Sequence, residues 1–310
     1  MIYAAVTCYP LIYSYLYPML KRLAIFFVAV ILAGCGPRLV YPHLDWLIPW
    51  YVSDFISLDS DQKTMLEIRL SKLLDWHCRT QLPAYANTLR AMGQDLADSS
   101  RPVTVGTLQT YNARLMALWK ELIRQVAPDI TAILATSTDE QIDELFANLE
   151  NQNHKLKREY VDLPPEALSR NRQKRMLKHL TYWISKPNTD QIQVVAEWNF
   201  QLLPIGVDLL RNREIVQAEA RRLLGHRHDD PGFQAAMQDL IINPERLRSA
   251  EYQRKIDVNT DVTINYLVNL IRMLTGPQRS HLLDRIESLA EDFDTLSCDP
   301  HEVPKPSENE

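Results

Sequence analysis

Apolar positions recur at helical spacing through most of the chain. Near its end, successive apolar residues lie one or three positions apart, which marks one face of an amphipathic helix. This stripe comprises Leu282, Leu283, Ile286, Leu289, Ala290, Phe293 and Leu296. Similar stripes comprise Met65, Leu66, Leu70, Leu73 and Leu74, and further on Ile142, Leu145, Phe146 and Leu149. Each stripe needs a partner helix to cover it.

Signals for β-sheet are weak. The chain has only 8 glycines and no Asn-Gly or Asp-Gly pair at which a hairpin would turn. Prolines separate the helical segments instead, because proline starts, breaks or kinks a helix. We therefore expect an all-α fold, an irregular multi-helix bundle of antiparallel helices, as one large domain or two closely packed ones.

The stretch MLKRLAIFFVAVILAGCG, residues 19–36, has the order of a signal peptide. Lys21 and Arg22 supply the basic start, and the apolar run at 23–32 is too short to span a bilayer. Its end, Leu32-Ala33-Gly34-Cys35, resembles the bacterial lipobox, which implies a diacylglycerol and an N-acyl chain on Cys35. The alternative is an uncleaved membrane anchor.

The signal peptide also divides the chain. Residues 1–18 carry no charge, so we expect Met19 to be the initiator and 1–18 a misassigned extension. Gly36 stands where an Asp would favour the inner membrane, so we expect the periplasmic side of the outer membrane. The expected segments are the signal peptide at 19–34, the lipidated N-terminus and aromatic lead-in at 35–57, the helical domain at 58–298 and a disordered tail at 299–310.

Charge and cysteine content narrow the function further. The formal net charge is −5, and loss of residues 1–35 removes two basic residues and no acidic one, which makes it −7. Such a chain lacks the basic footprint of a nucleic-acid-binding protein. Cys78 and Cys298 are the cysteines left in the mature chain; an oxidising periplasm permits a bond between them, but free cysteine is also a common core residue. Without a CxxC motif, neither redox catalysis nor a thiolate metal site is expected.

Four expected helix starts place a capping side chain three residues before a glutamine, the pattern of a capping box. They are Asp59 with Gln62, Thr138 with Gln141, Asn188 with Gln191, and Thr275 with Gln278. The starts lie 79, 50 and 87 positions apart, which excludes a simple solenoid. Capping alone is a complete explanation of the pattern.

A second explanation of these elements is functional. Leu274-Thr275-Gly276-Pro277-Gln278 reads Leu-Thr-x-x-Gln, and the element that begins at Leu58 differs from it by one substitution. Such elements resemble those of Spy and CpxP, small helical proteins of the periplasmic stress response. That resemblance implies a chaperone or adaptor that holds clients on a concave face.

A second resemblance, to another family, covers nearly the whole mature chain. Its residues are the lipobox, YPHLDWLI at 41–48, the Leu58 element and WHCRTQLPAYA at 76–86. Their order resembles an uncharacterised gammaproteobacterial lipoprotein family, domain of unknown function 6279. In that family an Arg follows the Trp-His and a Glu precedes the Leu-Pro, where this chain has Cys78 and Gln81. The resemblance implies a helical fold and a periplasmic lipoprotein, and no activity.

Several residues are candidates for binding a partner. Two basic stretches, at 154–158 and 170–179, either are solvated helix faces paired with Glu150, Glu159 and Glu166, or face phospholipid or lipopolysaccharide headgroups or an acidic protein. Together with the region around His77, they supply the candidate partner-binding residues Trp76, His77, Arg79, Arg170, Arg172, Lys174 and Arg175.

Aromatic residues raise a similar question. The stretch WLIPWY at 46–51 either lies in the membrane interface or packs on the bundle. Trp119, Trp183 and Trp198 each lie in an apolar helical context, so we expect them in the core.

No catalytic motif is recognisable, neither HExxH, Gly-x-Ser-x-Gly, a phosphate loop nor a dinucleotide fingerprint. We expect His77 to be a packed histidine and HRHDD at 226–230 to be a polar turn rather than a metal site. The expected protein has no cofactor besides its acyl chains. It is a non-catalytic binding, scaffold or chaperone-like lipoprotein, with an envelope protein or unfolded clients as partner and no nucleic acid. The alternatives are a hydrolase or lipid-modifying enzyme, and a structural protein that contacts lipid or peptidoglycan.

Overall fold

The computed structural model describes residues 37–298, and every regular element in that range is helical. The all-α fold expected from the sequence is therefore confirmed. The expected signal peptide, Cys35 and the tail at 299–310 lie outside the described residues.

The helices follow one another with short connections. The chain begins with α1 (Pro37–Val40), a 3₁₀ turn (Tyr41–His43), α2 (Leu44–Val52), α3 (Ser60–Trp76), a π-helix (His77–Gln81), α4 (Leu82–Ala97) and α5 (Val105–Ala135). It continues with α6 (Asp139–Tyr160), α7 (Pro165–Ile184), α8 (Thr189–Gln201), α9 (Gly206–Leu224) and α10 (Phe233–Ile242). After a 3₁₀ turn (Pro244–Leu247), it ends with α11 (Ala250–Arg272) and α12 (Gly276–Leu296).

The main core lies where α12 packs along α4, with α7, α8 and α11 around them. The apolar stripe of α12 predicted from the sequence faces this core, since Leu282, Ile286, Leu289 and Ala290 are buried. A second core joins α6, α9 and α10, and a small third one surrounds Leu156.

The three tryptophans expected in the core differ in burial. Trp183 and Trp198 are buried in the main core, while Trp119 is only half-buried. Trp119 lies on α5 and belongs to none of the three buried clusters. The core prediction for Trp119 was therefore too strong.

A disulfide joins the π-helix to the residue that follows the last helix by two positions. Cys78 and Cys298 are bonded, with their Cα atoms 5.2 Å apart, and the Cys298 N–H donates to the Cys78 carbonyl at 3.2 Å. The sequence left open whether these cysteines form a disulfide or are free thiols in the core. The structure has the disulfide.

Candidate functional site

Helices α3 and α6 begin with complete capping boxes. At α3, the Gln62 N–H donates to the Asp59 carboxylate at 2.8 Å, and the Asp59 N–H donates to Gln62 Oε1 at 3.0 Å. At α6, Thr138 and Gln141 make the same two bonds, at 3.2 and 2.9 Å. Each glutamine oxygen is thereby held at the start of its own helix.

The two glutamines also bind each other, which the capping pattern alone does not require. Gln62 Nε2 donates to Gln141 Oε1 at 3.0 Å, and Gln141 Nε2 donates to Gln62 Oε1 at 2.7 Å. The second proton of each amide goes to a backbone carbonyl of the other helix start, Thr136 for Gln62 at 3.2 Å and Ser57 for Gln141 at 2.7 Å. We call this reciprocal pair the first glutamine clasp.

A second glutamine clasp joins the starts of α8 and α12. Gln191 Nε2 donates to Gln278 Oε1 at 2.7 Å, and Gln278 Nε2 donates back to Gln191 Oε1 at 2.9 Å. Their second protons go to the carbonyls of Met273, at 3.3 Å, and Lys186, at 2.9 Å. In both clasps the accepting carbonyl lies two residues before the capping residue, so the same arrangement occurs twice in the chain.

Every hydrogen-bonding position of the clasp amides is filled. Each oxygen accepts from its own capping residue and from the partner amide, and each nitrogen donates twice, which is the full capacity of a primary amide. The orientation of each amide is fixed, because a backbone N–H only donates and must face the oxygen. Buried polar groups with complete partners stabilise one arrangement strongly, and Gln62, Gln191 and Gln278 are all buried.

One signal in the sequence pointed to the clasps and was missed. A glutamate would serve a capping box equally well and would favour the positive end of the helix dipole. All four elements nevertheless carry glutamine, whose amide also donates. The paired elements are those 79 and 87 positions apart, so the first and second elements form one pair and the third and fourth the other.

His77 lies in an aromatic cluster rather than on an open surface. Its Nδ1 is hydrogen-bonded to the Tyr41 hydroxyl at 3.0 Å, its ring stacks on Tyr41, and Tyr85 meets it edge-on. Burial lowers the pKa of His77 to about 4, so the ring is neutral near pH 7. A neutral, partly buried ring with a hydrogen-bond partner is a packed histidine.

The neighbours of His77 are also engaged internally. Arg79 forms an ion pair with Asp75 at 2.9 Å, one turn earlier, and Trp76 is half-buried against the His77 ring. Gln81 is buried and its Oε1 has no hydrogen-bond partner. Trp76, His77 and Arg79 therefore face the body of the protein more than a partner.

The second group of candidate residues lies on the outside of α6 and α7. We define the basic surface as Lys155, Lys157, Arg158, Arg170, Arg172, Lys174, Arg175 and Lys178. The two stretches meet at Tyr160, because the Arg175 guanidinium lies over its ring, 5.5 Å from the centroid. None of the eight cations forms a salt bridge with a carboxylate between residues 37 and 298. Of the pairings expected with Glu150, Glu159 and Glu166, the one with Glu150 is present, because His154 lies 3.7 Å from its carboxylate. Burial raises the pKa of Glu159, and the charge of Arg175 acts on it in the opposite direction, less strongly.

Two arginines of the basic surface, Arg172 and Arg175, contact neutral groups. Arg175 lies over the Tyr160 ring, as described above. Arg172 Nε donates to Asn199 Oδ1 at 2.7 Å, and Asn199 is itself bonded to Ser169. Burial, and then the charge of Arg175, lower the pKa of Arg172. Burial lowers the pKa of His179 as well, with Lys178 and Arg175 adding to the effect. The effects on both pKa values show that positive charges lie close together in this region.

The loop at 226–230 has a structural role. Arg227 donates to the Ser137 carbonyl at 2.9 Å and to Asp139 at 2.6 Å, which ties the loop to the start of α6. His226 and His228 point into solvent. Across residues 37–298, no three His, Cys, Asp or Glu side chains come close enough together to hold a metal ion.

An apolar cavity lies in the main core between α4, α5, α7, α11 and α12. Its volume is about 60 Å³, and Leu108, Leu180, Trp183 and Leu270 are among its lining residues. A dry cavity that binds benzene is about 150 Å³. This one is therefore a gap in packing rather than a site for a lipid or a cofactor.

Near the beginning of the described chain, large apolar side chains are exposed. Leu39, Trp46 and Trp50 are 50%, 54% and 45% accessible. None of the helices that the structure describes has the length and apolar character required to cross a bilayer.

Comparison with known proteins identifies a family and no activity. No curated protein and no solved structure matches the chain. Residues 54–253 match a family of unknown function, DUF6279, and this range contains the first clasp, the basic surface and Gln191. The match covers more than half of the chain, which therefore belongs to the family DUF6279.

Proposed function

We propose that the protein is a non-catalytic binding protein, lipid-anchored through Cys35 on the periplasmic side of the outer membrane, whose basic surface binds an anionic region of an envelope protein. The observation that carries this proposal is the concentration of eight cations on α6 and α7, none of which forms a salt bridge with a carboxylate among residues 37–298.

The charge of this region is opposite to that of the chain. Residues 155–178 contain eight basic and three acidic side chains, a balance of +5, whereas the whole chain carries −5. Most salt bridges of the described chain lie elsewhere, as at Arg69 with Asp129 and Lys255 with Asp208. A concentrated positive surface on an acidic protein favours encounter with anionic partners and disfavours self-association through that surface.

The basic surface combines exposed and fixed cations. Arg170, Lys174 and Lys178 are exposed and four residues apart, so they form one row along α7. Beside them, Arg172 and Arg175 are held by Asn199 and by the Tyr160 ring. A guanidinium that is already held loses less conformational freedom when it binds a carboxylate.

The anchor and the adaptor role have separate support. Leu32-Ala33-Gly34-Cys35 supports lipidation, and Gly36 supports the outer membrane. The Leu-Thr-x-x-Gln element at residues 274–278 and its resemblance to Spy and CpxP support an adaptor or chaperone-like role. The two clasps, which fix four helix starts, support a rigid platform rather than a surface that reshapes itself around its client.

The test is in-cell photo-crosslinking of the full-length lipoprotein from position 171, where Asn171 is exposed between the cations of α7. The test variant reverses three charges, Arg170→Glu with Lys174→Glu and Lys178→Glu. The matched control reverses three exposed cations without salt bridges elsewhere, Lys63→Glu with Lys72→Glu and Arg211→Glu, and changes the net charge equally.

We expect one saturable crosslinked envelope protein in the wild type and in the control, and its loss in the test variant. The same product should weaken as ionic strength rises, since exposed charges are screened over about 8 Å at physiological salt. Crosslinking that both variants retain, or that yields no protein, would contradict the proposal. A mature wild-type protein that carries no acyl chain on Cys35 would contradict the anchor.

A further inference from the structure

The segment that follows Cys35 is apolar on two sides. Helix α1, the 3₁₀ turn and α2 follow each other without a gap from residue 37 to 52, and we call this segment the lead-in helix. Val40, Leu47 and Tyr51 on one side are buried, with at most 9% accessible. Leu39, Trp46 and Trp50, each one position earlier, are 45 to 54% accessible.

These two sets form neighbouring stripes. Within α2, Trp46 with Trp50 and Leu47 with Tyr51 are four residues apart, so each pair lies along one side of that helix. Leu39 and Val40 add an exposed and a buried apolar residue on α1, before the 3₁₀ turn. One position corresponds to about 100° around a helix axis, so the exposed stripe lies beside the covered one. A helix that is apolar on most of its circumference is ordinarily buried in protein or in membrane, and here the protein covers only one side.

The lead-in helix is fixed to the body. Arg38 forms an ion pair with Asp292 of α12 at 2.5 Å, and the Tyr41 hydroxyl is hydrogen-bonded to His77 Nδ1 at 3.0 Å. In the connection that follows the segment, Asn148 donates to the Phe55 carbonyl at 3.0 Å, and Ser57 donates twice to Glu144. The exposed stripe therefore has a constant orientation relative to the rest of the protein.

The place of Cys35 in the sequence indicates that the exposed stripe lies near lipid. Cys35 precedes Pro37, the first residue of α1, by two positions, and two residues span at most about 7 Å. An acylated Cys35 lies at the level of the lipid headgroups, so the start of the lead-in helix must lie there too. From Pro37 to Trp50 the helix rises by about 20 Å, and all three exposed residues reach the interface only if the helix lies along the membrane.

We infer that the exposed stripe of the lead-in helix, Leu39 with Trp46 and Trp50, inserts into the lipid interface and holds the body directly on the membrane surface. Tryptophan is enriched at that interface, where its ring sits among the headgroups. The inference rests on the lipid anchor of the proposed function and extends it, because acyl chains alone would permit any orientation of the body.

The test uses the full-length lipidated protein in vesicles of phosphatidylethanolamine and phosphatidylglycerol, prepared with and without brominated acyl chains. Bromine quenches tryptophan that lies within the bilayer. Two of the six tryptophans belong to the stripe, so brominated lipid should remove roughly one third of the fluorescence. A Trp46→Phe/Trp50→Phe variant identifies the quenched residues, since it should lose that sensitivity.

A matched pair of variants tests the apolar contact while the tryptophans remain. Leu39→Asp should reduce quenching by roughly twofold or more, because it places a charge in the interface. Ile192→Asp introduces the same charge at an apolar residue of α8 that is 41% accessible, and should leave quenching unchanged.

Flotation with the vesicles separates this inference from the anchor. A protein that floats and shows the expected quenching supports the inference. A protein that floats without quenching keeps its anchor and overturns the inference, whether the stripe then binds a second copy or another protein. A protein that does not float lacks the anchor, which overturns both.

Discussion

The side-chain amides of Gln191 and Gln278 bind each other in both directions, at 2.7 and 2.9 Å, although 87 residues separate them. Gln62 and Gln141 do the same 79 residues apart. Each clasp joins the starts of two helices, and in each the second helix follows a long one, α5 or α11, after three residues. The chain therefore uses one joining device twice, at positions that do not form a regular repeat.

We expect Gln191→Glu to destabilise the protein. The carboxylate keeps the acceptor for Asn188 but loses both donors, and it places an oxygen against Gln278 Oε1 and the Met273 carbonyl. Gln191 is fully buried, so the free energy of unfolding should fall by about 3 kcal/mol. Urea denaturation measures the change. Gln109→Glu, at an exposed site of α5, is the control, and a loss of similar size there would contradict the assignment.

Two glycines at equivalent helix positions should respond differently to alanine. Gly206 begins α9, and a Cβ there would lie 2.2 Å from the Tyr160 carbonyl oxygen. Gly276 begins α12, and a Cβ there would meet nothing within 4 Å. Gly206→Ala should therefore cost about 2 to 3 kcal/mol of unfolding free energy because backbone must move. Gly276→Ala should cost nothing, and equal thermal midpoints for the two variants would contradict this packing.

Stability should fall in mild acid because of His77. Burial lowers its pKa from 6.5 to about 4, so between these values the unfolded chain binds a proton that the folded protein does not. Unfolding is then favoured as pH falls from 6.5 to 4, by about 1.5 kcal/mol after allowance for partial exposure of the ring. His179, whose pKa burial also lowers, acts in the same direction.

Urea denaturation at several pH values tests this loss of stability, with a variant whose side chain at position 77 does not bind a proton. His77→Asn keeps a side chain that is able to hydrogen-bond with Tyr41 and should flatten the pH dependence between 6.5 and 4, whatever its effect on stability at pH 7. A slope that persists in His77→Asn would show that another group carries it.

Reduction of the Cys78–Cys298 disulfide should lower stability substantially. The bond closes a loop of 220 residues, and a native disulfide of this kind contributes about 3 kcal/mol, chiefly by restricting the unfolded chain. Thermal unfolding with and without reductant measures the difference. A Cys78→Ser/Cys298→Ser variant should be as unstable as the reduced protein, and reductant should not change its thermal midpoint. If the oxidised wild type has the same midpoint as this variant, the disulfide is contradicted.

Local features were the ones that could be derived from the sequence. The capping partners are three residues apart, so a window of four residues contains the interaction, and the stripe on α12 follows from helical spacing alone. The prediction that His77 is packed needed only the absence of an acid or nucleophile at a suitable spacing. The all-α class followed from many such local signals that agree.

Relationships between distant segments could not be derived in the same way. Nothing local to Gln62 selects Gln141 as its partner, and no spacing rule joins Cys78 to Cys298. The π-helix at residues 77–81 was not predicted from the sequence. The expected pairings of the basic stretches were met in part, with His154 in contact with Glu150, because side chains one turn apart are able to pair but need not.

The Cys78–Cys298 bond has a consequence for how the protein is degraded. It encloses nearly all of the described chain in one covalent ring, from the π-helix to the end of α12. A single proteolytic cut in any connection between these points would leave two fragments that are still one molecule. Release of either fragment would require a second cut or a reductant, so damage at one loop would not detach the body from its N-terminal segment.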